Sequence, residues 1–107
     1  MNIMSVFNIT NSNFEKEVLQ SKEIVLLDFW ASWCGPCQMV GPIIEEIALE
    51  RPDIKVCKIN IEEQPELAES FQIMSIPTLV VLKNGQVVNQ SSGARPKKQI
   101  LEMLPEK

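Results

Sequence analysis

Apolar positions along the chain change their period several times, and each change marks a predicted element. Ile3 to Ile9 alternates weakly and carries β-formers, which predicts a short first strand. Thr10, Asn11, Ser12 and Asn13 offer side chains able to cap a helix, and Phe14, Val18 and Leu19 follow at helical spacing. Ser21-Lys22-Glu23 reads as a turn. From Ile24 to Trp30 every residue except Asp28 is apolar, the pattern of a strand covered on both faces. Pro36 to Glu50 returns to the helical period, with Met39, Val40, Ile43, Ile44, Ile47 and Ala48 on one broad face and Glu45, Glu46 and Glu50 opposite. Pro42 lies inside that segment. Its missing N–H and its clash with the carbonyl of Gln38 predict a kink over 38–41, the alternative being a helix that ends at Gly41 and restarts at Pro42.

Ile54 to Ile61 predicts another buried strand, with Val56, Lys58 and Asn60 on one face and Cys57, Ile59 and Ile61 on the other. Pro65 opens a short helix through Leu67, Ala68 and Phe71. Ile76-Pro77 precedes the strand Thr78 to Leu82, and Asn84-Gly85 is a strong hairpin signal leading into Gln86 to Asn89. Ser91-Ser92-Gly93 ends the last strand, and Pro96 to Leu104 predicts a final helix with Ile100, Leu101 and Leu104 facing in. The order β-α-β-α-β-α-β-β-α is that of an α/β fold. Helices between the first three strands imply right-handed crossovers and a parallel centre, and the hairpin adds antiparallel strands at one edge.

At 107 residues and 45% apolar content, the chain is expected to form a single soluble domain spanning 1–107 with one core. A net charge of −4 gives no electrostatic basis for binding nucleic acid or an anionic membrane, so partners should be proteins or neutral small molecules. Met1 to Phe7 lacks the basic start, long apolar centre and cleavage site of a signal peptide, and no run approaches membrane-spanning length. A cytoplasmic location is the expectation. Three cysteines make no disulfide framework there, and without histidine a closed zinc site would need a carboxylate or a second chain, so no metal is expected. What remains for a close cysteine pair is redox chemistry.

That pair lies in Trp33-Cys34-Gly35-Pro36-Cys37, at the junction between the apolar strand and the helix. Cysteines at i and i+3 in a first helical turn share one face, so little movement separates dithiol from disulfide. Unpaired N–H groups and the positive end of the dipole favour a thiolate at Cys34. Cys37, a turn further in and expected to be more shielded, acts second. Gly35 leaves space for an approaching disulfide, and Pro36 fits a first helical turn. Asp28, the acidic residue of the buried run, is a candidate base with a pKa raised by desolvation. Lys58 either neutralises Asp28 across the sheet or snorkels to solvent. Cys57 reads as a small core hydrophobe, with a regulatory thiol as the alternative.

Asp28 to Cys37, read as DFWASWCGPC, together with Pro42, Lys58, Ile76-Pro77-Thr78, Lys83-Asn84-Gly85 and Gly93 in matching order, resembles the thioredoxin family over essentially the whole chain. The resemblance implies the thioredoxin fold, a central mixed five-stranded sheet flanked by four helices. It implies a monomeric protein-disulfide reductase with Cys34 as nucleophile, Cys37 as resolving thiol and no bound cofactor. Thioredoxin reductase would regenerate it, so NADPH and flavin enter only indirectly. It further implies a cis Pro77 beside the cysteines, Asp28 as base through water, Trp30 in the core, and a docking rim of Trp33, Met74, Ile76 and Gly93. Two departures bear on partner choice. Gln38 stands where many members carry lysine, and Met74-Ser75 replaces a more basic pair, leaving a less basic and greasier rim. Competing readings are a specialised paralogue with another electron donor and a redox-inactive binding module.

Overall fold

The computed structural model describes residues 6–106. Strand β1 (Val6–Asn8) covers the end of the expected first strand, whose positions 3–5 lie outside the described residues. β2 (Ile24–Trp30), helix α1 (Gly35–Glu50), β3 (Ile54–Asn60), α2 (Pro65–Ser70), β4 (Thr78–Lys83), β5 (Gln86–Ser92) and α3 (Lys97–Met103) follow in the predicted order. The expected first helix is instead a single wide π turn, Glu15–Leu19, in which the Gln20 N–H reaches back to the Glu15 carbonyl. Asn13 does not cap it. Its Oδ1 accepts from the Thr10 N–H and its Nδ2 donates to the Asn8 carbonyl, which folds the loop leading in.

The five strands form one mixed sheet in the order β1-β3-β2-β4-β5. β3 runs parallel to β1 and β2, whereas β4 is antiparallel to β2 and β5. Because side chains alternate across a strand, the apolar runs of β2, β3 and β4 feed two cores. Leu26, Val56, Leu79 and Val81 meet Val40, Ile44 and Ile47 of α1 and Ile100 of α3 on one face. Leu27, Phe29, Cys57, Ile59 and Val80 meet Val18 and Leu67 on the other. There Phe71 packs against both Phe14 and Phe29. The predicted parity of β3 is thus observed, and α1 runs unbroken through Pro42.

Met39 departs from the predicted inward face: it is 70% exposed, while its neighbour Val40 is buried. One residue turns a helix by about 100°, so the face that buries Val40, Ile44 and Ile47 leaves Met39 outside. The hairpin is as the Asn-Gly pair predicts. Asn84 and Gly85 both take positive φ, 52° and 77°, in a two-residue turn that matches the twist of β4 and β5. A Cβ on Gly85 would stand 2.9 Å from the Leu19 carbonyl oxygen at the end of the π turn. Gly85→Ala is therefore expected to cost about 2 kcal/mol, combining left-handed strain with that contact. Urea denaturation checks it, and an unchanged midpoint would mean that the turn moves freely away from Leu19.

Candidate active site

The carboxyl end of β2 delivers the site. β2 stops at Trp30, and Ala31, Ser32 and Trp33 turn the chain so that the Cys34 N–H donates to the Ala31 carbonyl. Cys34 then occupies the N-cap of α1 with extended backbone angles. Its Sγ accepts from the Cys37 N–H at 3.2 Å, one of the donors that the first helical turn leaves unpaired. Pro36 sits in that first turn, where it forfeits no helical bond. Cys34 and Cys37 are joined as a disulfide with Cα atoms 5.3 Å apart.

As residues the two cysteines are covered alike, at 4% and 5% exposure, so Cys37 as a whole is not the more shielded of the two in this closed state. The bond holds them together against Ala31, Ile61 and Ile76. Their surroundings differ instead. Beside Cys34, a Cβ on Gly35 would meet nothing within 4 Å, so the surface next to Cys34 is open. Cys37 lines a cleft of about 350 Å³ that Trp30, Gln38, Glu45 and Lys58 also border.

Asp28 shares a face of the sheet with Trp30 and Lys58, which line this cleft, without lining it itself. It is 1% exposed, and neither carboxylate oxygen has a hydrogen-bond partner in the protein. Desolvation pushes its pKa from 3.8 up to about 6, against the opposing pull of Lys58. The two are register partners across β2 and β3, which puts their side chains on the same face. The Lys58 ammonium is nevertheless not within ion-pair distance of Asp28. It lies over the Trp30 ring, 4.9 Å from the centroid, and beside Gly41 of α1, so Lys58 both reaches the cleft and acts on Asp28 from a distance. Trp30, expected in the core, is half-buried beneath that ammonium.

A second depression, about 330 Å³, lies on the other side of the disulfide. Trp33, Ile61, Ile73, Met74, Ser75 and Ile76 line it. Trp33 is 66% and Met74 94% exposed. The chain reaches this wall from α2 through a tight exit: Gln72 takes φ 55°, and the Ile73 N–H returns to the Ala68 carbonyl. The Ile76–Pro77 peptide is cis, and Ile76 packs against the two cysteines. Gly93 closes the rim, its N–H donating 2.8 Å to the Pro77 carbonyl, with φ at 90° and open space where a side chain would project. Ile61 and Ile73 were not among the sequence candidates. The β3 parity that places Ile61 with Cys57 and Ile59 was the available signal for the first, whereas Ile73 sits in an aperiodic connection that carries none.

The family model described as thioredoxin matches residues 5–106. The chain belongs to the thioredoxin family. Thioredoxin of Mycobacterium tuberculosis is 46% identical over 101 residues, covering 94% of this chain and 87% of that protein. Thioredoxin of Listeria monocytogenes is 48% identical over 100 residues, covering 92% and 95% respectively. Thioredoxin 1 of a Nostoc species is 48% identical over 97 residues, covering 90% and 91%. Family membership and the paired thiols make this protein a thiol-disulfide oxidoreductase, a protein-disulfide reductase and redox carrier. Members of the thioredoxin family carry no bound cofactor. Among the described residues, no cluster of three or more cysteine, aspartate or glutamate side chains is placed to hold a metal ion. No helix among them is long and apolar enough to cross a membrane. Cys57 is fully buried in the sheet, and desolvation pushes its thiol up to about 12, so it behaves in this thioredoxin-family protein as a small core side chain.

Proposed function

We propose that the reduced protein attacks substrate disulfides through the Cys34 thiolate. One substrate sulfur joins Cys34 in a mixed disulfide, and the other leaves as a thiolate that takes up a proton. Cys37 then attacks Cys34 Sγ, the second substrate sulfur departs as a thiolate that takes up a proton, and the intramolecular disulfide closes, so the protein has lost two electrons and the substrate, now two thiols, has gained them. The observation that supports these roles is the bond from the Cys37 N–H to Cys34 Sγ at the helix N-cap. A donor aimed at that sulfur favours its anionic form.

Asp28 takes the Cys37 proton during resolution. The cleft beside Cys37 has room for the water needed to connect them, and Lys58 keeps the carboxyl pKa from rising further. Gly35 and Pro36 keep the approach open and the helix start in place. Trp33, Met74, Ile76 and Gly93, with cis Pro77 beneath, receive the substrate backbone and its apolar side chains. Regeneration by thioredoxin reductase, drawing on NADPH through flavin, completes the cycle. The protein works as a monomer in the cytoplasm, where disulfide reduction is favoured.

The test is the equilibrium reduction potential of the Cys34–Cys37 couple in dithiothreitol buffers, read by tryptophan fluorescence. The expected value lies below the glutathione poise of about −220 to −260 mV. A potential in the range of oxidising isomerases would reverse the direction of catalysis, and no two-electron transition would favour a binding module.

A further inference from the structure

A groove of about 290 Å³ lies between α1 and the segment joining β5 to α3, and the roles assigned above do not use it. Met39, Ile43, Ala94, Arg95 and Pro96 line it. It adjoins the redox pair on two sides. Met39 stands one helical turn beyond Gly35 on the same face of α1, where Cys34 is open to approach. Ala94 follows Gly93, whose N–H donates to the carbonyl of Pro77, the residue after the Ile76 that packs on the cysteines.

The groove carries an uncompensated charge. Arg95 Nε is buried without a hydrogen-bond partner, and Nη1 has only the neutral Gln99 Oε1, at 3.4 Å. Among the described residues no carboxylate lies within ion-pair distance of Arg95, in contrast to Lys97 at the start of α3, which is held by Glu46 and Glu50. Across the cysteines the charge has the opposite sign. Glu62 is tied to Ser32, and Glu69 of α2 is exposed on a depression that shares Ile61, Ile73 and Met74 with the wall beyond the disulfide. A partner laid across Cys34 therefore meets a cationic apolar groove on one side and an acidic border on the other.

We infer that the Met39–Arg95 groove docks the chain of a protein substrate that bears an apolar side chain and a carboxylate next to its disulfide cysteine. The carboxylate meets the guanidinium, whose planar donors suit it, and the apolar side chain meets the adaptable thioether of Met39. The groove thereby sets both the preference among substrates and the direction in which they lie. This inference rests on the reductase reading above.

The test uses two oxidised disulfide peptides that differ only in a glutamate or lysine beside the attacked cysteine, and takes the ratio of their kcat/KM values, so that a general loss of activity cancels. Intact protein should favour the glutamate peptide by about fivefold at low salt. Arg95→Gln should bring the ratio near one, Arg95→Glu should invert it, and added salt should flatten it. Equal rates for both peptides on active protein would overturn the inference and leave the reductase reading standing. If neither peptide is reduced, that reading fails and takes the inference with it. Concentration-dependent dimerisation abolished by Arg95→Glu, with no peptide preference, would assign the groove to a second copy of the chain instead.

Discussion

Cys37→Ser is expected to abolish turnover and to leave the protein covalently joined to its substrate. The first exchange needs only the Cys34 thiolate, an open approach over Gly35 and the donated N–H at the helix start. That N–H belongs to the backbone of residue 37, so serine retains it. The second exchange needs a thiol at position 37 close enough to attack Cys34 Sγ, and serine supplies an oxygen whose disulfide chemistry is negligible. The mixed disulfide then persists until an external thiol removes it. Non-reducing electrophoresis and intact mass should show one substrate per protein for Cys37→Ser and none for Cys34→Ser, with steady-state reduction at background in both. Trapping by Cys34→Ser instead would exchange the two roles.

Asp28→Asn should be both more stable and slower. The folded protein holds the Asp28 proton more tightly than the unfolded chain does, with pKa values of about 6 against 3.8. Its contribution to stability is therefore fully present below about pH 3.8 and is lost as the pH rises through about 6. Above that, wild type carries the whole cost of a buried, unbonded carboxylate, about 3 kcal/mol. Asparagine removes the charge. Denaturation of the oxidised forms should show the variant ahead by that amount at pH 8, with the two converging below pH 4. A difference that stayed constant across this range would locate the effect in packing and not in ionisation. Turnover should fall by about 10²-fold or more, the ordinary contribution of a general base, and the acidic limb of the wild-type rate profile near pH 6 should disappear. A stabilising change that removes activity identifies Asp28 as a group retained for chemistry at the expense of the fold.

Much of this was legible in the chain because the signals were local. The position of the cysteine pair at a strand-to-helix junction follows from where one apolar run stops and the helical period starts. The hairpin follows from two residues, Asn84 and Gly85, and the parity of β3 follows from alternation alone. Where the local signal was incomplete, so was the reading. Helical spacing at Phe14 and Val18 could not distinguish an α-helix from the wide turn at Glu15–Leu19, since both place those side chains on the core. Met39 looked like part of an apolar stripe because periodicity reports residue type, whereas exposure depends on how far the packed face extends.

The sequence by itself determined the order of elements, the two-sided burial of the central strands and the presence of two thiols one turn apart at a helix start. These depend on side-chain period and on contacts within a few residues, so no other part of the chain has to be in place. Only the tertiary structure decided what surrounds those thiols. Pairing β2 with β3 sets Asp28 in register with Lys58, and burial between the sheet and its surroundings leaves both carboxylate oxygens without a partner in the protein. Folding also brings Trp33, Ile61, Ile73, Met74 and Ile76 to one wall, and sets Arg95 beside Met39 on the opposite side. These groups come from separate stretches of the chain, and their chemistry arises from shared burial and fixed distance, which exist only once the sheet and its helices have closed around them.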